Sequence, residues 1–283
     1  MSEPAKPGLR WVWASVTGVG LLFLALSIQA WTRNFSEPNI TDYLSYWAAG
    51  KLALAGDAAA AFDVTKHRAM EFTVSPFKGL LPFPYPPPFL LLVTPLSLLP
   101  YMWGFLAWVV ITLAIYLVVV RRVIDVPYAL AHPAVLMNGL IGQNGFLTAA
   151  IFTGGVTMLR KRPLLAGAIL GTLVVKPQLA LLLPVAVIAA RLWPAIGGAI
   201  ATSAALLLFS LALFGTGVFT GFLEMLPLYG ELMRQDKWPW NEFISVFAFL
   251  RYFGVDQSVA LTVHALIAAG AAVLTWIAWS RDW

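Results

Sequence analysis

Asp42 stands shortly past the first apolar run long enough to cross a membrane, in Thr41-Asp42-Tyr43-Leu44-Ser45-Tyr46-Trp47-Ala48-Ala49-Gly50. A carboxylate there, facing a lipid-borne substrate, is a candidate general base. The plain alternative is a loop acid that keeps a turn solvated. Two further polar groups interrupt apolar sequence. Lys176 lies between Leu173-Val174-Val175 and the apolar run that starts at Leu179, in Lys176-Pro177-Gln178. Its placement suits a cation that holds a phosphate, or a lysine that snorkels from a helix end. Gln143 and Asn144 sit in Gly142-Gln143-Asn144-Gly145, where the flanking glycines also favour an ordinary turn.

The elements that must position these groups are membrane elements. Of 283 residues, 60% are apolar and 11% charged, against about 25% charged in a soluble domain. Mean hydropathy is +0.81. A net charge of +5 would suggest nucleic acid in a soluble protein. Here the cations cluster at the ends of apolar runs, where they set orientation, so no nucleic-acid partner is expected. The chain has no cysteine, which excludes disulfide and thiolate chemistry. His67, His132 and His264 are scattered without metal-ligand spacing, so neither a metal nor a cofactor is expected.

The pattern predicts an all-α polytopic membrane protein forming one integral membrane domain. A first span covers 11–31 and is retained rather than cleaved. An extracytoplasmic segment, 32–87, follows. Within it Tyr43, Tyr46, Trp47 and Gly50 recur at helical spacing, which predicts an interfacial amphipathic helix with Asp42 near its start. The prolines of Gly79–Pro88 exclude regular helix there. A bundle covers 89–214: a short proline-bounded piece at 89–99, a full span at 101–120, and two helix–break–helix hairpins. Their apolar halves are 127–141 with 146–159, and 163–175 with 179–190. A span at 193–214, a second extracytoplasmic segment at 215–256 and a last span at 258–280 complete the chain.

Lys6, Arg10, Arg121-Arg122, Arg160-Lys161-Arg162, Arg191 and Arg281 all fall on one face if 89–99 is re-entrant. The positive-inside rule makes that face cytoplasmic. Asp42, Gln143-Asn144, Lys176-Gln178 and Trp238–Ser245 then share the extracytoplasmic face of the cell membrane. Asp57, Asp63, Glu71, Glu224, Glu231 and Asp236 read as solvated acids. His67, in Lys66-His67-Arg68, reads as a residue outside the site.

Asp42-Tyr-x-x-Tyr-Trp-x-Ala-Gly, then Tyr85-Pro86-Pro87-Pro88-Phe89 with Pro95-Leu96, Gly142-Gln143-Asn144, and Ala166-Gly167 followed by Lys176-Pro177-Gln178 resemble, in order, signatures of glycosyltransferase family 87. The resemblance covers roughly residues 11–250. It implies a GT-C-type membrane bundle with short half-helices and an extracytoplasmic region after the first span. It also implies transfer of a sugar, a hexose such as mannose, from a polyprenyl-phosphate-linked donor to a lipid or glycan acceptor with inversion. Asp42 would be the base. Lys176 would balance the departing phosphate, and Gln143, Asn144 and Gln178 would hydrogen-bond phosphate or sugar. Tyr46, Trp47 and Tyr85 would offer aromatic faces to a sugar ring or prenyl chain. Trp240 and Asn241, in Trp238-Pro239-Trp240-Asn241-Glu242, would close over the acceptor. Members of the family usually continue with more spans, which implies a short variant or a truncated sequence. A non-enzymatic carrier of lipid-linked sugar is the alternative, because interrupted half-helices also mark transporter sites.

Overall fold

The computed structural model describes residues 41–76, 81–236, 240 and 243–281. The span at 11–31 and Asn241 lie outside them. The described chain is all-α and has no strand. Among the described residues, three helices are long and apolar enough to cross a membrane: α4 (Tyr101–Val120), α10 (Trp193–Phe214) and α13 (Gln257–Ser280). At 1.5 Å per residue each reaches about the ~30 Å of a hydrocarbon core. Little of α13 is buried. Its exposed Leu261, Leu266, Val273 and Leu274 form a surface that lipid must cover.

Ahead of these spans, α1 (Asp42–Leu54) begins after Thr41, whose backbone is extended. The Asp42 carboxylate in its first turn complements the positive end of the helix dipole. The helix is not amphipathic as its aromatic spacing suggests. Every residue from Tyr43 to Gly50 is buried. The reason is crowding: α1 packs against α2 (Val64–Glu71), α3 (Leu90–Leu96), α4 and the 3-10 turn Ala58–Phe62, so it has no solvent face over this length. The amphipathic helix is instead α11 (Gly217–Arg234), within the second polar segment. It packs on the 3-10 turn Ala58–Phe62 and exposes Leu223 and Leu226.

Helix α3 has seven residues and carries Pro95 inside it. It extends only about 10 Å, too short to cross a bilayer. The two hairpins follow α4. Helices α5 (Val126–Ala131), α6 (Pro133–Ile141) and α7 (Gly145–Met158) make the first. Helix α8 (Pro163–Gly171), the 3-10 turns Thr172–Val175 and Pro177–Ala180, and α9 (Leu183–Ala189) make the second. The densest packing joins α8 to α10. A Cβ at Gly167 would stand 1.9 Å from the Ala195 carbonyl oxygen, so the two backbones touch. Small residues permit such contact between membrane helices. Helix α12 (Val246–Tyr252) leads into α13.

One acid is misplaced by the sequence reading. Asp57, Asp63, Glu224 and Asp236 are exposed, but Glu71 is 1% exposed. Its Oε1 lies 3.3 Å from Nε2 of the equally buried His67. That nitrogen is also 3.3 Å from the Ser45 hydroxyl, which donates to the Pro82 carbonyl at 3.1 Å. Glu71 is buried because the inner face of α2 turns against α1 and the irregular segment at 81–86, where its carboxyl group lies beside the imidazole.

Candidate active site

The site is built at the two hairpin breaks, where they meet the start of α1. Gly142 ends α6 with φ of 68°. A Cβ there would meet the Tyr43 Cβ at 2.8 Å and the Phe105 ring at 2.9 Å. Only glycine both turns the chain and lets α1 pack onto the turn. The indole of Trp108 donates to the Gly142 carbonyl at 2.9 Å, and the Gly145 amide donates to Asn138 Oδ1 at 2.7 Å. The break is therefore pinned on both sides.

Gln143 and Asn144 are consecutive, yet they reach opposite charges. Gln143 Nε2 donates to Asp42 Oδ2. Asn144, fully buried, accepts from the Lys176 ammonium on Oδ1 at 2.8 Å. Its Nδ2 is buried without a hydrogen-bond partner. Lys176 stands at the second break, between two 3-10 turns, with a non-helical backbone (φ −150°, ψ 67°) that neither turn continues. Its ammonium lies 5.9 Å from the centre of the Tyr85 ring.

The aromatic residues complete the cluster. Tyr46 and Tyr85 share a hydrogen bond of 2.8 Å, and the Tyr46 hydroxyl is 3.2 Å from Gln143 Oε1. Tyr85 stacks on Phe89 at 4.3 Å, while Tyr46 is enclosed by Tyr43, Tyr85, Phe89 and Trp108. Burial pushes the Tyr85 phenol up to about 12. The Tyr46 phenol lies well above its ordinary value, from burial first and then from Tyr85 beside it. Both are neutral hydrogen-bonding groups at physiological pH.

Asp42, Gln143, Asn144, Lys176, Tyr46 and Tyr85 thus form one connected cluster. The other sequence candidates lie apart from it. Gln178 is exposed beyond Lys176. Trp47 uses its indole to donate to the Leu99 carbonyl at 3.0 Å, with Lys51 over its ring. Trp240 donates to Asp236 at 2.5 Å, and Arg251 lies over its ring and pairs with Asp236 at 2.8 Å. Tyr229 of α11 was missed by the sequence reading. Its hydroxyl donates to the Met225 sulfur at 3.7 Å, and burial first, then the Tyr85 phenol, holds its own phenol above the ordinary value. The only signal in the sequence was the helical spacing of Val218, Phe222, Met225 and Tyr229, inside a stretch that reads as a polar segment.

The family model of glycosyltransferase family 87 matches residues 83–282. The chain belongs to glycosyltransferase family 87. Comparison with curated proteins and with solved structures finds no match. Family membership makes the chain a membrane glycosyltransferase by class, in agreement with its apolar spans. The match includes Tyr85, Gln143, Asn144 and Lys176 but begins after Asp42. The association of Asp42 with the matched residues rests on the Gln143 hydrogen bond.

Proposed function

We propose that this glycosyltransferase moves a hexose such as mannose from a polyprenyl-phosphate-linked donor to a hydroxyl of a lipid or glycan acceptor, at the extracytoplasmic face of the cell membrane. Asp42 takes the acceptor proton as the acceptor oxygen bonds to the anomeric carbon. The bond from that carbon to the phosphate oxygen breaks, and its electron pair leaves with the polyprenyl phosphate. One base suffices, because a phosphate departs as an anion once its charge is met. Lys176 meets that charge, and the unpartnered Asn144 Nδ2 supplies a further donor to it. The reaction is direct and inverting, and it does not need the carboxylate pair of glycoside hydrolysis. No metal or cofactor is assigned a role.

One observation carries this reading. Adjacent residues at a single break, Gln143 and Asn144, bind a carboxylate and an ammonium respectively. Consecutive residues thus tie the Asp42 carboxylate and the Lys176 ammonium to one turn, which supports their reading as base and phosphate-binding cation. Family membership favours this reading over a non-enzymatic carrier. The test is sugar transfer by purified protein in lipid nanodiscs. Polyprenyl-phosphate mannose would be compared with other hexose and pentose donors, using phosphatidylinositol mannosides and oligosaccharides as acceptors. Asp42→Asn should abolish turnover while leaving donor binding intact. Undiminished turnover in that variant would remove Asp42 from the chemistry.

A further inference from the structure

The connected hydrogen bonds around Gln143 have a direction. A carboxylate in its ionised form offers only lone pairs, so the amide must present its N–H to Asp42. Gln143 Oε1 then faces two donors: the Tyr46 hydroxyl at 3.2 Å and the Asn144 backbone N–H at 3.3 Å. Since the Tyr46 proton is used on Oε1, the 2.8 Å contact between the phenols is a donation from Tyr85 to Tyr46. Each donor along Tyr85, Tyr46, Gln143 and Asp42 points toward the carboxylate. Such a chain polarises in one direction and ends on the charge it stabilises. The Tyr46 ring, packed edge-on against Tyr85, Phe89 and Trp108, holds its hydroxyl oxygen between Gln143 and Tyr85.

We infer that Gln143 and Tyr46 are positioning residues for the base: Gln143 fixes the plane of the Asp42 carboxylate, and the Tyr46 hydroxyl fixes which end of the Gln143 amide meets it. This rests on Asp42 being the base. It reassigns Gln143 from the donor phosphate to the carboxylate, and Tyr46 from a ring face for substrate to a hydroxyl acting through Gln143. An amide held this way favours the ionised carboxylate and keeps it aimed at the acceptor hydroxyl.

The test is steady-state transfer from polyprenyl-phosphate mannose across pH 4 to 9, with Tyr46→Phe, Gln143→Glu and Asp42→Asn beside the parent protein. Tyr46→Phe removes one hydroxyl from a packed ring, and kcat should fall roughly three- to tenfold with the donor KM unchanged. Gln143→Glu replaces the donor by a second carboxylate. It should lower kcat on the order of a hundredfold at neutral pH and move the acidic limb of the kcat profile upward by about one unit or more. The Tyr46→Phe limb should move in the same direction by less. A role confined to packing would leave that limb in place.

A rise in donor KM with kcat and the acidic limb unmoved would overturn the inference and return Gln143 to the donor. Parent-like kinetics in both variants would overturn it as well. If Asp42→Asn keeps turnover, the assignment of the base itself fails. Loss of the positioning effect with Asp42→Asn still inactive refutes only the inference drawn here.

Discussion

Replacing Lys176 by Met is the most informative perturbation of the proposed phosphate site, because charge and departure can be separated there. The ammonium is half-buried between two short helices and bonded to a fully buried asparagine. A phosphate oxygen reaching it would sit about 4 Å away, where one unit of opposite charge interacts by about 4 kcal/mol at an effective dielectric near 20. The donor is a phosphodiester with one negative charge, and the leaving phosphate carries two. The first charge is present in both ground and transition states, so its loss weakens donor binding and raises KM. Half of the second charge, developed at the transition state, corresponds to about 2 kcal/mol, or roughly thirtyfold in kcat. Lys176→Met should therefore lower kcat roughly thirtyfold and raise the donor KM. Lys176→Arg should keep most of kcat, since it keeps the charge. The assay is transfer of radiolabelled mannose from polyprenyl-phosphate mannose in nanodiscs over a range of donor concentrations. A Lys176→Met enzyme with kcat within twofold of the parent would refute the assignment of this cation to the departing phosphate.

Three further outcomes follow from the packing and the caps. Gly167→Val places side-chain atoms where the Ala195 carbonyl already lies, so α8 and α10 must separate; overpacking of this kind costs at least about 1–3 kcal/mol, read as a fall in thermal midpoint in detergent. His67→Leu leaves the 1%-exposed Glu71 without its imidazole and should destabilise by about 1–3 kcal/mol; His67→Leu combined with Glu71→Leu should recover much of that loss, and additive losses in the double variant would show the two are not coupled. The Asp256 carboxyl, which caps α13, lies below the usual carboxylate range because the backbone N–H groups of Val259 and Ser258 donate to it. A depressed carboxylate contributes stability above its unfolded value and loses it as pH falls through the folded value. Hydrogen exchange in the first turn of α13 should therefore accelerate as pH falls below about 4, relative to the intrinsic rate, and Asp256→Asn should remove that acid dependence.

The class of the molecule was open to reading because membrane crossing depends on local composition. Tyr101–Val120, Trp193–Phe214 and Gln257–Ser280 are apolar over a bilayer's thickness whatever surrounds them. Pro95 and the prolines before it likewise forbid a long helix by their own geometry. Candidate polar groups were visible for a related reason: Gln143, Asn144 and Lys176 interrupt apolar runs, and polar groups are costly there. Periodicity was less sufficient in α1 and α11. The aromatic residues of α1 mark one helical face, but whether Leu44, Ser45, Ala48 and Ala49 are also covered depends on how many elements surround the helix. The buried Glu71 was illegible too, since its imidazole partner gives it a polar environment inside the protein that a charged, lysine- and arginine-flanked segment does not announce.

By itself, then, the sequence determined an all-helical membrane protein with short broken helices and a few polar groups at the breaks, because those properties depend on residues close together in the chain. The tertiary structure decided which groups meet. Hydrogen bonds of about 3 Å between separate helices depend on the packing of every intervening helix. That packing set Asp42 against Gln143, Lys176 against Asn144 and Tyr46 against Gln143, and left Trp47 and Trp240 to bind elsewhere.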